Sequence, residues 1–409
     1  MASSVIRRQF WAALLAGMLL APTAAAQGPL TSNLSEGELP VAAYRIGPVS
    51  LNPQMAVREI GVDTNVFSDP ENPQRDWVVS ISPGMDGHVR SGILQFVFSS
   101  GTDFTYYAKF KSERAAMRQF MGRLDFLLAR LRPSIGYAAN STRTKPNAEI
   151  DLRARRREGE VSARIAFEVS PLARVAVSAA RVETRFDDGE VYRGIDLARS
   201  LNRRAESATL ALRLQLTPFT TLTLDGSASR DEFLAAAGRD SESRLGGIEL
   251  DFSRDAIITG RARVGYRDFR PEDPTLAPYR GLTSSVGLSV TTFWRGRFDA
   301  TFERDVQYSF EEAEGYFVSN GLDFTYTQRL FGPIDVQSRV GRGMLEYSER
   351  AGIPGRQDEL LLLSGGLGYN RNSGARFGVN YEYSDRESAD RADRRFVRRR
   401  IYGSYEYRF

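Results

Sequence analysis

Along most of this chain, apolar and polar residues alternate with period two. Ala208, Leu210, Leu212, Leu214 and Leu216 are apolar, with Thr209, Arg213 and Gln215 between them. Val161, Ala163, Ile165, Phe167 and Val169 alternate with Ser162, Arg164, Glu168 and Ser170. Val286, Leu288 and Val290 alternate with Ser285, Gly287 and Ser289, and Phe298, Ala300 and Phe302 with Asp299, Thr301 and Glu303. Phe377, Val379, Tyr381 and Tyr383 alternate with Arg376, Asn380 and Glu382. Successive side chains of a strand point to opposite faces, so the pattern predicts strands with one apolar and one polar face. The alternation runs to the last residue, with Tyr405, Tyr407 and Phe409 on one face and Glu406 and Arg408 on the other. An aromatic terminal strand with an open edge invites aggregation in a soluble sheet. In a membrane barrel it is the closing strand, with its aromatics at the bilayer interface.

The connections alternate in length. Short turns fall at Pro171–Ala173, Pro218–Thr220, Arg295-Gly296, Gly332-Pro333 and Ser373–Ala375. Long polar loops fall near Ser68–Asp76, Arg143–Leu152, Asp187–Arg199, Pro271–Arg280, Ala351–Gln357 and Asp385–Asp393. Outer-membrane barrels have short periplasmic turns and longer extracellular loops, whereas a soluble sandwich has no reason to alternate loop length. The predicted fold is all-β: a transmembrane antiparallel up-and-down barrel of about 18 strands, with 16 as the alternative. The strands are expected at 55–67, 76–88, 92–107, 117–130, 133–143, 157–170, 174–186, 201–217 and 220–233. They continue at 242–254, 256–270, 281–294, 297–310, 316–331, 334–349, 357–371, 376–385 and 395–409. Residues 117–131 also fit helical spacing, through Met117, Phe120, Met121, Leu124, Leu127, Leu128 and Leu131. Topology favours a strand there, because an inward-running strand must join two outward-running neighbours.

The N-terminus fits export. Arg7 and Arg8 precede the apolar run Phe10–Leu20, and Ala24–Ala26 form a small-residue cleavage signature before Gln27. The run is too short to span a bilayer as a helix, so 1–26 read as a secretory signal peptide. The paired arginines also hint at a twin-arginine signal, but a membrane barrel favours export as an unfolded chain. Residues 27–53 read as a flexible periplasmic lead-in, and 54–409 as the barrel.

Composition narrows the partners and the chemistry. There is no cysteine, which removes disulfides and thiolate metal sites. Fifty-five basic residues balance 51 acidic ones, which gives no basis for nucleic-acid binding. The polar strand faces carry Asp86, Arg164, Glu168, Arg213, Asp225, Glu249, Asp251, Asp299, Glu303, Asp323, Arg339, Arg376, Glu382 and Arg408. Charges at this density cannot pack as a dry core, and a barrel of about 18 strands is wide enough for water. These residues are therefore candidate pore-lining groups, with pairing across neighbouring strands as the structural alternative. The basic run Arg394, Arg395, Arg398, Arg399 and Arg400 suits either a pore mouth that attracts anions or a solvated rim.

The first expected strand contains Asp63, Asn65, Val66 and Phe67, within Glu59–Phe67. With the leader, the hairpin series and the aromatic end, this chain resembles the putative β-barrel porin type 2 family of Gram-negative outer membranes. Members often carry Asp-x-Asn-Ile/Val-Phe in that strand. The resemblance implies a porin-like barrel, and some members are associated with exopolysaccharide export. One departure is Gly403, which lies a position earlier than the common assembly signal expects. Asp63 and Asn65 also suit a structural task, turning the strand into its loop.

Catalysis is not expected. His88 is the single histidine; Ser91 and Ser100 lie near it in sequence, but no third member of a triad announces itself. No cofactor is expected. Asp187-Asp188 and Glu311, Glu312 and Glu314 can bind Ca²⁺ or bridge lipopolysaccharide, or can serve as solvated loop charge. The expected location is the outer membrane. The expected partners are membrane lipid, lipopolysaccharide, the barrel-assembly machinery and a hydrophilic solute or saccharide, with a homo-oligomer left open. Two functions follow: a channel for hydrophilic solutes, or a non-conducting barrel that serves as scaffold, receptor or partner of an envelope assembly. The loop near Asp187–Leu201 is long enough to constrict such a pore and too short to plug it.

Overall fold

The computed structural model describes residues 43–67, 69, 71–252, 256–292, 296–348, 355–371, 375–388, 391 and 394–407. The expected signal peptide, the first part of the expected lead-in, Arg408 and Phe409 lie outside the described residues. Eighteen antiparallel strands close into a single barrel. The first nine are β1 (Val49–Asp63), β2 (Asp76–Ser91), β3 (Leu94–Tyr107), β4 (Ala115–Phe126), β5 (Leu131–Thr144), β6 (Ala154–Ser170), β7 (Ala173–Phe186), β8 (Arg203–Thr217) and β9 (Thr220–Phe233). The second nine are β10 (Ser241–Phe252), β11 (Ile258–Pro271), β12 (Tyr279–Thr291), β13 (Gly296–Tyr308), β14 (Tyr316–Arg329), β15 (Ile334–Tyr347), β16 (Gln357–Asn370), β17 (Ala375–Ser388) and β18 (Phe396–Tyr407). Each strand pairs with the next, and β18 pairs with β1 from Met55↔Tyr407 to Asp63↔Arg400. Closure leaves no open edge along the wall, which is what a strand in lipid requires.

The ambiguous 117–131 segment is strand from Ala115 to Phe126, as the up-and-down order demands. The first strand begins earlier than the expected residue 55. β1 begins at Val49, and Tyr44–Ile46 folds back on Val49–Leu51 through Gly47, whose φ is 58°. Backbone pairing to β2 from Val49↔Val89 onward recruits residues that a hydropathy pattern alone leaves as loop. At the other end of β1 the strand stops at Asp63, ahead of the expected Phe67.

Connections at one end run two to five residues, and those at the other run seven to sixteen. The long-loop end is the extracellular one by the usual rule. The outward face is apolar, with Trp77, Tyr137, Ile165, Leu210, Val264 and Phe324 each about half exposed. The strands are 12 to 17 residues long, more than the ~9–11 needed to cross a bilayer. The surplus projects at the long-loop end, where the outward face turns charged, as in Arg181–Glu206 at 3.7 Å and Arg230–Glu232 at 3.4 Å. No helix among the described residues is long and apolar enough to cross a membrane; the wall crosses as strands.

Candidate functional site

The inner wall is polar because strand alternation leaves it so. Asp86, Arg164, Glu168, Arg213, Asp225, Glu249, Asp251, Asp299, Glu303, Asp323, Arg339, Arg376 and Glu382 all lie on the strand face opposite the exposed apolar rows. The structure pairs most of them with neighbours. Asp225 meets Arg263 at 2.5 Å, Asp299 meets Arg297 at 2.6 Å, and Arg339 meets Asp323 at 2.7 Å. Arg376 holds Asp335 at 2.7 Å, Arg261 reaches Glu249 and Asp251 at 3.4 and 3.3 Å, and Glu168 reaches Arg132 at 3.5 Å. Asp86 accepts a hydrogen bond from Gln54 Nε2 at 3.0 Å. The partners Arg261, Arg263, Arg297 and Asp335 were not singled out from sequence, yet the alternation that marked their mates also places them on this face.

The Asp-x-Asn motif binds the barrel seam to the first loop. Asp63 pairs with Arg398 of β18, with Nε donating to Oδ1 at 3.0 Å. Asp63 also accepts the Asn65 amide at 3.1 Å, and Asn65 exchanges hydrogen bonds with the Asp69 backbone at 2.9 and 3.0 Å. This is an Asx-type turn, which uses a side chain as a backbone surrogate. Val66 is buried beside Val78 and Tyr107, and Phe67 stacks edge-on against Phe110 at 4.9 Å. The basic run divides by alternation. Arg398 and Arg400 point inward and pair with Asp63, Glu59 and Glu382, while Arg395 and Arg399 point outward. Tyr405 packs its ring against Phe377 at 4.8 Å on the outward face, and Tyr407 ends β18.

The mouth holds the feature that sequence reading did not anticipate. All three apolar clusters among the described residues lie at the long-loop end. Loop 145–153 enters the barrel so that Glu149 and Ile150 are fully buried. Glu149 accepts from Ser309 Oγ at 2.8 Å and from the Phe310 amide at 3.0 Å, across the mouth. On the facing wall, Arg386 pairs with Asp151 at 2.8 Å and Asp358 at 2.6 Å, and donates to the Glu149 carbonyl at 3.0 Å. Arg356 reaches Glu314 at 2.6 Å, and Arg394 reaches Glu149 at 3.5 Å and also holds Glu311. Loop 187–202 adds Leu197 and Leu201, fully or nearly buried, so it contributes to the constriction without making it alone. Of the loop acids considered for Ca²⁺, Glu311 and Glu314 are held by arginines and Asp187 by Arg157 at 2.7 Å. Among the described residues no acidic or histidine group has a metal-holding arrangement.

Burial governs protonation in these loops. Glu149 is raised by burial, against the pull of Arg394, Ser309, the Phe310 amide and Arg356. Glu314 is pushed up to about 7 by burial, opposed by Arg356 and Arg394 and reinforced by Glu311 and Glu149. Asp151 is held low because Lys145 and Arg386 outweigh its burial.

With this geometry in hand, residues 41–406 match the family described as Putative beta-barrel porin 2. The chain belongs to that family. The sequence matches no curated protein. Among solved structures, this barrel is similar to Pseudomonas aeruginosa OccK2 (OpdF) in complex with glucuronate, at 13% identity and TM-score 0.50, covering 88% of this chain and 98% of that one. It is also similar to a BenF-like porin from Pseudomonas fluorescens Pf-5, at 12% identity and TM-score 0.48, covering 88% and 99%. The FrpB iron transporter from Neisseria meningitidis (F3-3 variant) aligns at 10% identity and TM-score 0.43, covering 82% of this chain. This chain spans only 62% of the FrpB chain. At such identities the likeness is one of fold.

Proposed function

We propose that this porin-family barrel is an outer-membrane channel for hydrophilic solutes. The observation that carries the reading is an 18-strand wall whose inner face bears paired charges below the mouth, where a solid interior would carry apolar side chains. A wall of that strand number encloses room for water, and paired ions that keep water contact avoid most of the desolvation cost. No catalytic role is assigned. Saccharides are the solute class to try first. The family resemblance carries an association with exopolysaccharide export, and the OccK2 barrel is known with glucuronate.

The inward-folded loops at the mouth favour a second reading, a non-conducting barrel that serves an envelope assembly. Single-channel conductance of the refolded mature chain in a planar bilayer separates the two. Discrete steps in KCl that are blocked by an added uronic-acid oligomer are expected for the channel. A folded, heat-modifiable barrel that shows no steps would promote the scaffold.

A further inference from the structure

The wall is not zipped to its rim everywhere. The β5–β6 ladder continues to Thr144↔Ala154, but the β4–β5 ladder stops at Arg118↔Ser141. The β13–β14 ladder continues to Tyr308↔Tyr316, but the β12–β13 ladder stops at Ser284↔Arg304 although both strands run on. Two hairpins have therefore parted from one neighbour each and leaned into the mouth. They meet where Glu149 accepts from Ser309 and Phe310.

The side chains of the second hairpin fit two positions. Val306, Tyr308, Tyr316 and Val318 share the strand face of Phe302 and Leu322, which points to lipid lower down. Here they are buried against the inner wall instead. Tyr308 lies 4.9 Å from Phe233, Tyr316 lies 5.0 Å from Phe269, and the Tyr308 hydroxyl is 2.5 Å from Ser241 Oγ. Extending the β12–β13 register upward sets Leu282, now 61% exposed, opposite Val306. The swung-out position would thus recover ladder hydrogen bonds and an outward apolar pair in exchange for the inner packing.

We propose that these hairpins are the two halves of a gate, seen here closed, and that opening swings β13–β14 outward until the β12–β13 ladder zips past Ser284 and Arg304. As a gate it rests on the channel reading. The chain has no cysteine, so Leu282→Cys with Val306→Cys gives a unique pair. A disulfide needs Cα atoms within about 7 Å, a separation the zipped register supplies. Oxidation of the refolded double variant in lipid is expected to form the bond and hold the barrel open, with reductant restoring gating. In a second variant, Glu149→Ala, the open fraction is expected to rise. Failure of the bond to form while both single cysteines remain reactive would overturn the gate. So would an unchanged open fraction in Glu149→Ala. If the bond forms and the locked barrel still passes no ions, the hairpin motion stands and the channel reading falls.

Discussion

Arg386 shows how one side chain can tie a loop to a distant strand. It is fully buried in β17, yet it binds Asp151 on the entering loop and Asp358 on β16. A buried pair is weak evidence for stability by itself, but removing one partner strands the other charges. Arg386→Ala is expected to cost about 3–5 kcal/mol and to free loop 145–153, seen as a lower urea midpoint and faster trypsin cleavage after Arg153. Asp63 and Asn65 work at the same scale. The sequence marked them as a motif, and the structure gives the turn-making task, with Arg398 across the seam as the partner that no local pattern could name.

At the scale of elements, the seam between β1 and β18 depends on close approach at Gly61. A Cβ there would collide with Tyr402 and the Ile401 carbonyl. Gly61→Val is expected to stop closure, and loss of the heat-modifiable band on gels is the readout. The loop pair at the mouth is expected to respond to protons. Glu314 is raised to about 7 from an ordinary value near 4.5, and Glu149 is raised as well. A carboxyl raised by the fold holds a proton that the unfolded chain has released. Its contribution is therefore complete below about pH 4.5 and is lost as pH rises toward 7. The closed mouth is expected to be firmer at pH 5 than at pH 8, measured as an open fraction that climbs with pH. Glu314→Gln should flatten that climb.

For the whole molecule, the inner wall carries charges of both signs joined in pairs. Arg263→Ala leaves Asp225 alone on the inner wall. The pair is mostly buried, so the stability loss is expected to fall between the ~1 kcal/mol of an exposed pair and the ~3 kcal/mol of a fully buried one. Ion selectivity should shift toward cations, read from the reversal potential across a KCl gradient. Removing both charges with Arg263→Gln and Asp225→Asn should return it.

Much of this molecule was legible in its sequence. Period-two alternation is a local property, so Leu210 and Arg213 declared their faces without help from the rest of the chain. Alternating loop lengths and the terminal strand settled an up-and-down barrel, and topology settled β4 where spacing was ambiguous. Which inward charges pair with which, and the packing of the mouth, were beyond reach of the pattern. Loop 145–153 reads as an ordinary polar loop, and its one signal is Ile150 between Glu149 and Asp151. Whether those acids face water or Arg386 depends on a strand more than 200 residues away. Strand pattern is written in neighbours along the chain and can be read from them. Charge pairing and the inward lean of two hairpins arise only when closure brings distant strands together, so the tertiary structure alone decided them.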